Sequence, residues 1–494
     1  MTTFLIGLAL LIAGGMVYGR VCENVMKPDN RKAPAYTRTD GVDYVPMKTW
    51  RNSLINLLNI AGTGPILGPV QGILFGPIAF ILIPVGNVLG GAAHDYFSGM
   101  LAIRNEGMQM PALIRKYTNG AVYQIYNIFL CILMLLLGVV FIYTPGDIAS
   151  THIFGFSGAS SAASTWVIYS AIFVYYIMAT VFPIDKLIGA VYPLFGAVLL
   201  FSTAGVLGGL FTGGYQLPEL SAETINQTHP FGQKLIPMFF ITVACGIVSG
   251  FHSTQTAIIS RSMTSEKCGR MTFYNMMTIE GFIAMIWAAG AIGAVSAGVV
   301  SEEMLFKNPA VVIGAVANHM LGNTAGLIAI LGVIVLPVTS GDTALRSLRL
   351  MAADYIGLDQ KPIKHRLAIS IPIFLFVAAI LVWAKMSYGG FNALWRYFAW
   401  SNQTIAIFAF AIITIYLIGK GHKIAPLMSL IPGTWYAFVT FSFICNASIG
   451  LSLPLEIAYA FGIAFALIYA SLIIWKGFTL RRDQTPLEAV PIME

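Results

Sequence analysis

Charge is what this sequence has least of: Asp, Glu, Lys and Arg make up 10% of its 494 residues, against about 25% in soluble globular proteins. A soluble globule of this length cannot cover its surface with so few charges. Cysteine is sparse too, with five residues, Cys22, Cys131, Cys245, Cys268 and Cys445. None stands in a CxxC or CxxH spacing, so neither a disulfide framework nor a structural zinc site is expected. Cys131, Cys245 and Cys445 fall in apolar runs and read as small hydrophobes. The net charge of +7 is not gathered into one stripe, which excludes nucleic acid as the partner it points to. The basic residues stand instead at the ends of apolar runs.

What is abundant is long apolar sequence, 57% of the chain being hydrophobic. Runs of roughly 20 residues recur, each long enough to cross a hydrocarbon core of about 30 Å as a helix. In lipid every backbone polar group must be paired internally, which leaves helices or closed barrels. Barrel strands would appear as short alternating segments, and these runs are continuous. The sequence therefore predicts an all-α integral membrane protein embedded in a lipid bilayer. Its expected spans are 3–19, 53–75, 77–103, 121–143, 165–182, 187–211, 236–260, 271–298, 311–338, 368–386, 391–418, 424–446 and 453–476. The first run has no positive leader and continues to Tyr18 before Arg20, so it is expected to stay as a helix rather than be cleaved as a signal peptide. Of the 28 Lys and Arg, all but Lys234, Lys307, Lys385 and Arg396 fall in alternate connections beginning with 20–52. The positive-inside rule then places the N-terminus outside and the C-terminus in the cytoplasm.

Two spans are interrupted. Ala61-Gly62-Thr63-Gly64-Pro65-Ile66-Leu67-Gly68-Pro69 puts three glycines and two prolines inside one run, which should break the helix. Five spans later, Gly246-Ile247-Val248-Ser249-Gly250-Phe251-His252-Ser253-Thr254-Gln255 interrupts another. Broken helices at matching positions of two antiparallel halves point to an inverted-repeat transporter. The repeats would be 53–211 and 236–418, with 1–52 and 424–494 outside them. A half-helix start offers N–H groups that suit a substrate carboxylate, and a half-helix end offers carbonyls that suit a cation. Pro65 fits such a start, where its missing N–H costs nothing. The plainer reading is that the glycines and prolines only permit kinks and close packing.

Polar residues at membrane depth are few. His94 and Asp95 interrupt 77–103, and an ionisable group there is a functional candidate by default; the alternative is a structural hydrogen-bonded pair. His252, beside Ser253, Thr254 and Gln255, can contact a solute or exchange protons near neutral pH, or can satisfy backbone freed by the break. Thr339, Ser340 and Asp342 offer hard oxygen ligands for sodium, a carboxylate for a proton, or an N-cap for a short helix over 342–356. Arg346 and Arg349 read as interface anchors or partners of Asp342. Asn402 and Gln403, in a span with Asn392, Trp395, Arg396, Trp400 and Ser401, should hydrogen-bond across helices. Glu280 and Glu456 are embedded but stand near enough to span ends to reach water.

The same segments resemble the carbon starvation protein A (CstA) family. The stretches that carry the resemblance are Asp40-Gly-Val-Asp-Tyr-Val-Pro46, Ala61 to Pro69, His94-Asp95, Gly250 to Gln255, Thr339-Ser-Gly-Asp-Thr-Ala-Leu-Arg346 and Phe398-Ala-Trp-Ser-Asn-Gln403. The resemblance implies a bacterial inner-membrane uptake system for peptides or, in some members, proton-coupled pyruvate import. It also implies a fold similar to the amino acid–polyamine–organocation superfamily, a leucine-transporter-type five-plus-five repeat. Many family members extend further at the C-terminal end. The expected substrate-binding set is Gly62, Thr63, Gly64, Pro65, Gly68, His252, Ser253, Thr254, Gln255, Asn402 and Gln403. The expected coupling set is His94, Asp95, Thr339, Ser340 and Asp342, with proton or sodium as the ion and no cofactor or resident metal. A hydrolase using His94, Asp95 and His252 as a zinc triad is the rival from another class, but the sequence has no HExxH and no GxSxG. A channel is a third reading, without a repeated filter segment to support it.

Overall fold

A computed structural model of the chain describes residues 1–41, 43–181, 185–225, 229–359, 362–448 and 450–484. Val42 of the Asp40–Pro46 stretch, the last residue of the expected span 165–182, and the C-terminal tail beyond 484 lie outside the described residues. The helices are α1 Thr2–Met26, α2 Pro34–Thr37, α3 Thr49–Ile60, α4 Gly64–Gly72, α5 Ala79–Gly86, α6 Ala92–Arg104 and α7 Met110–Tyr117. After them come α8 Gly120–Ile148, α9 Ala163–Val181, α10 Asp185–Thr212, α11 Phe240–Thr242, α12 Ala244–Ile247, α13 Gly250–Ser260 and α14 Asn275–Ser296. The chain continues through α15 Glu302–Lys307, α16 Pro309–Ile356, α17 Ile363–Met386, α18 Gly390–Gly419, α19 Leu427–Asn446 and α20 Leu455–Gln484. No strand occurs among the described residues.

Eight helices among the described residues are long and apolar enough to cross a membrane, nine if α3 and α4 are one span bent by 50°. Other expected spans are met by interrupted helices. Residues 77–103 form α5, a π-helical turn Asn87–Gly91 and α6. Residues 236–260 form a π turn Leu235–Phe239, then α11, α12 and α13. Apolar side chains line the rim: Val167, Leu375, Phe376 and Leu467 are each more than 60% exposed. That exposure is costly in water and neutral in lipid, and the chain is a multi-pass membrane protein.

α18 runs through the middle. Its side chains are buried along most of its length, against α8, α13, α19 and α20. On the far side α1 lies against α5, α6 and α14. The contact is close because Gly7 has no side chain: a Cβ there would stand 2.2 Å from the Phe80 carbonyl oxygen. Ends are fixed locally. Asn119 caps α8 by accepting from the Val122 N–H at 2.9 Å, and Ser301 caps α15 by accepting from Met304 at 3.2 Å.

One expectation is corrected here. The segment Thr339–Asp342 was expected to follow a span end, with capping of a new helix as one of its three readings. It lies instead inside α16, which is helical from Pro309 to Ile356 apart from a kink at Gly322, with φ 74° and ψ 169°. The crossing helix therefore begins after Gly322 and continues past Pro337. The Thr339 hydroxyl donates back to the Leu336 carbonyl at 2.9 Å, and Tyr176 donates to the Phe141 carbonyl beside Gly341 at 2.9 Å. Neither Ser340 nor Asp342 is an N-cap.

Opposite the basic end, His229 packs against Phe75, Phe231 and Phe306. Burial, and then the charge of Arg396, hold its pKa at about 4, down from 6.5. Between those values the unfolded segment binds the extra proton, so stability rises with pH across the window and is lost as pH falls from 6.5 toward 4. The protection of residues 229–235 against hydrogen exchange, taken relative to the intrinsic rate at each pH, should therefore fall on acidification through this range. The fall should vanish in His229→Gln; the same fall in that variant would place its origin elsewhere.

Candidate functional site

Both interruptions expected from the sequence are present, and they face each other. The first break, residues 61–63, separates α3 from α4; Pro65 sits in the first turn of α4 and no side chain caps it. The second break is extended backbone at Val248 and Ser249, with φ of −143° and −132°. Gly64 and Gly68 mark where the two cross: a Cβ at Gly64 would be 2.6 Å from Cys245 Sγ, and one at Gly68 2.6 Å from the Thr242 carbonyl oxygen. These two glycines therefore act as close-packing positions.

The second half-helix start is filled by the protein itself. Asn402 Oδ1 accepts the Phe251 N–H at 2.8 Å, while its Nδ2 donates to Ser249 Oγ at 2.9 Å. α18 comes close enough for this because a Cβ on Gly250 would lie 2.2 Å from the Asn402 carbonyl oxygen. Ser253 and Thr254 return their hydroxyls to the carbonyls of Gly250 and Phe251, both at 2.7 Å. Gln255 donates to Thr254 Oγ1 at 3.2 Å, and Gln403 donates to the Phe240 carbonyl at 3.2 Å. At the first break, by contrast, the buried Thr63 hydroxyl has no hydrogen-bond partner.

His94, Asp95 and His252 come together although the first two are chain neighbours and the third is remote. His94 Nδ1 lies 2.9 Å from Asp95 Oδ1, and His252 Nδ1 lies 3.0 Å from Asp95 Oδ2. One carboxylate thus bridges two imidazoles, so the three form a chain rather than converging on a point as zinc ligands do. The chain has a fourth member. Glu280 Oε2 stands 3.6 Å from His252 Nε2, and neither Glu280 oxygen has a hydrogen-bond partner. Glu280 is wholly buried, which corrects the expectation that it reaches water. The π turn Arg270–Tyr274 leads straight into α14, so Glu280 lies far from a free helix end. An unpaired carboxylate in such a place is expensive; a proton on Glu280 or on His252 removes the cost. His252, with one nitrogen toward each carboxylate, can pass a proton between them.

The cluster is shut on both sides. Toward the basic end, Asn56 donates to the Thr272 carbonyl at 2.7 Å and Ser262 donates to Asn52 Oδ1 at 2.9 Å, pinning α3 to the chain beyond α13. Toward the other end, Gln71 donates to Asn392 Oδ1 at 2.9 Å, and the Trp395 indole donates to the Thr242 carbonyl at 3.1 Å.

Thr339, Ser340 and Asp342 are not part of this chain. Asp342 accepts from the Tyr175 hydroxyl at 2.9 Å and stands 3.6 Å from Arg346 on its own helix. Sequence reasoning passed over one further buried pair. Lys385 Nζ lies 2.6 Å from Asp147 Oδ1, between the rings of Tyr143 and Tyr169, and the Tyr169 hydroxyl also donates to Asp147. Lys385 had been counted only as one of four basic residues on the sparse face.

Comparison with known proteins places the chain by fold and by family. A manganese transporter of Eremococcus coleocola, solved in complex with an aromatic bis-isothiourea substituted compound, superposes with a TM-score of 0.55 at 12% identity. It covers 90% of this chain and 99% of its own, a likeness of fold alone. The peptide transporter CstA of Helicobacter pylori is 23% identical over 84% of this chain and 76% of its own length. The pyruvate/proton symporter BtsT of Escherichia coli is 26% identical over 54% of this chain and 45% of its own length. The family model described as carbon starvation protein CstA matches residues 1–146, 142–323 and 310–443, a range that takes in both helix breaks and all four residues of the buried cluster. On that coverage the chain belongs to the carbon starvation protein CstA family.

Proposed function

We propose that this protein is a secondary transporter that takes up short peptides by alternating access, coupled to protons through His94, Asp95, His252 and Glu280. The observation that carries the reading is this sealed chain of two carboxylates and two imidazoles at the second helix break. Nothing in it needs a catalytic nucleophile, and its shutters on both sides are hydrogen bonds between helices that can exchange. The substrate carboxylate is assigned to the first break, at Gly62, Thr63, Gly64 and Pro65. That start has no side-chain cap and holds an orphaned hydroxyl on Thr63. The matching start at Gly250 is already occupied by Asn402. Ser253, Thr254, Gln255 and Gln403 then support the second break.

The thirteen spans are read as two inverted five-helix repeats, 53–211 and 236–418, with α1 before them and α19 and α20 after. The equivalent positions of the two breaks support this. The bias of Lys and Arg to alternate connections supports an outside N-terminus, a cytoplasmic C-terminus and a bacterial inner membrane as the site. Proton-coupled pyruvate uptake is the second reading, favoured by the relative named for that activity. Sodium enters only through Asp342: in Asp342→Asn an altered ion dependence would make it a coupling ligand, and an unchanged one would confine it to the α9–α16 contact.

Uptake of labelled di- and tripeptides and of labelled pyruvate into proteoliposomes, with imposed pH or sodium gradients, tests the proposal. Saturable peptide uptake driven by an inward proton gradient is the expected result. Pyruvate uptake alone would select the second reading. Uptake of neither by folded, reconstituted protein would overturn transport of both classes.

A further inference from the structure

A second feature lies away from the helix breaks and has two parts that meet. The first is an apolar groove of about 640 Å³ on the lipid-facing side. Its floor is α18, with Thr404, Ala411 and Ile415; one wall is α8, with Ile125 and Phe129, and Leu472 stands on the other, α20. The groove follows α18 from Trp400 to Ile415, roughly 22 Å at 1.5 Å per residue. That is longer than one leaflet's share of a hydrocarbon core about 30 Å thick. Its walls are in reach of lipid: Ile125 is 48% and Leu472 58% exposed.

The second part is a basic cavity of about 320 Å³ at the groove's end, lined by Arg31, Arg104, Lys116 and Lys420. The same three elements run from one into the other. α18 passes from Ile415 in the groove to Tyr416 and Lys420 in the cavity. Lys116 and Tyr117 of α7 precede Thr118 of the groove, and Leu480 of α20 follows Lys476. An adjoining cavity of about 360 Å³ adds Lys27 and His422. Two acids answer this charge: buried Glu266 pairs with Arg104 at 3.2 Å and Arg31 at 3.4 Å, and Asp29 pairs with Arg31 at 2.7 Å. Lys116 donates to the neutral Asn105 Oδ1 at 2.6 Å, and no ion pair among the described residues engages Lys27 or Lys420. The lysines therefore leave the cavity positive.

We propose that this groove and cavity together bind one anionic phospholipid, its acyl chains along α18 and its phosphate between Lys116 and Lys420. An apolar slot open to the bilayer selects a chain, and a positive pocket at interface depth selects a negative headgroup. Neither part alone makes that choice. The arrangement does not rest on the transport reading, since no residue of either break lines the groove or the cavity.

Native mass spectrometry of the full-length protein, titrated with phosphatidylglycerol, phosphatidylcholine of equal chain length, or inorganic phosphate, tests it. Phosphatidylglycerol should be retained well over phosphatidylcholine, and inorganic phosphate should not displace it. The preference should fall by about fivefold for each of Lys116→Gln and Lys420→Gln, the attraction one basic residue has for an anionic surface. Ala411→Trp, which fills the floor, should lower retention of both lipids while leaving the lysines in place. Equal binding of the two lipids, or an unchanged preference in the lysine variants, would overturn the proposal. Displacement by phosphate alone would reassign the cavity to a free anion.

Discussion

His252→Ala is expected to remove gradient-driven uptake while leaving a folded protein that still binds solute. Asp95 would keep only His94 as a partner, and Glu280 would lose the one basic group near it. Removing one partner from a buried charged pair costs about 3–5 kcal/mol. At 1.4 kcal/mol per tenfold, that is roughly a hundredfold or more against any state in which both carboxylates carry charge. The variant can escape only by holding a proton permanently, which uncouples it. Glu280→Gln should lose coupling for the complementary reason, since glutamine is neutral in every state and releases no proton. Both are measured as pH-gradient-driven uptake beside solute counterflow, which needs no coupling. Loss of the first with retention of the second is expected for each. Wild-type uptake under a pH gradient in either variant would remove that residue from the coupling path.

Lys385→Met should be strongly destabilising. It leaves Asp147 inside the protein with only the Tyr169 hydroxyl to answer its charge. The expected loss is about 3–5 kcal/mol, read from unfolding in mixed micelles. The double variant Asp147→Leu with Lys385→Met should recover most of that, because two apolar side chains of similar volume leave nothing unpaired. A single variant as stable as the parent would mean that Asp147 carries no charge there. A double variant no better than the single would mean that packing between α8 and α17, and not the charge, supplies the stability.

Much of the site was legible because interrupted helices advertise themselves. Glycine and proline at 62–69, and a polar run at 249–255, stand out from apolar surroundings without any knowledge of what they touch. His94 and Asp95 stand out by the same contrast. What sequence could not give is pairing across distance. That Asp95 meets His252 follows from α6 packing on α13, a relation no periodicity encodes. Asn402 was expected to bond across helices, but its task as the missing cap of α13 depends on how near Gly250 lets α18 approach. Glu280 was misplaced because depth was judged from the start of an apolar run. Its burial comes instead from the helices packed around α14, α4, α1 and α10 among them, which distance along the run does not encode. The error at Thr339–Asp342 has the opposite origin. Pro337, two hydroxyls and a glycine read as a stop, but Thr339 bonds back to its own helix and Gly341 makes room for Tyr176, so the helix survives.

The place of α1 has a consequence for how the chain is made. Its contact with α5 and α6 becomes available early, but its other neighbour, α14, ends about 270 residues after α1 does. At about 5–20 residues per second of synthesis, the first helix waits roughly 15–50 s for that partner. Throughout that interval the small-residue positions Gly15 and Gly19, which later meet Thr278 and Tyr274, are open to any nascent helix that can pack as closely. The membrane insertion machinery, or lipid itself, must occupy that face until the right neighbour emerges.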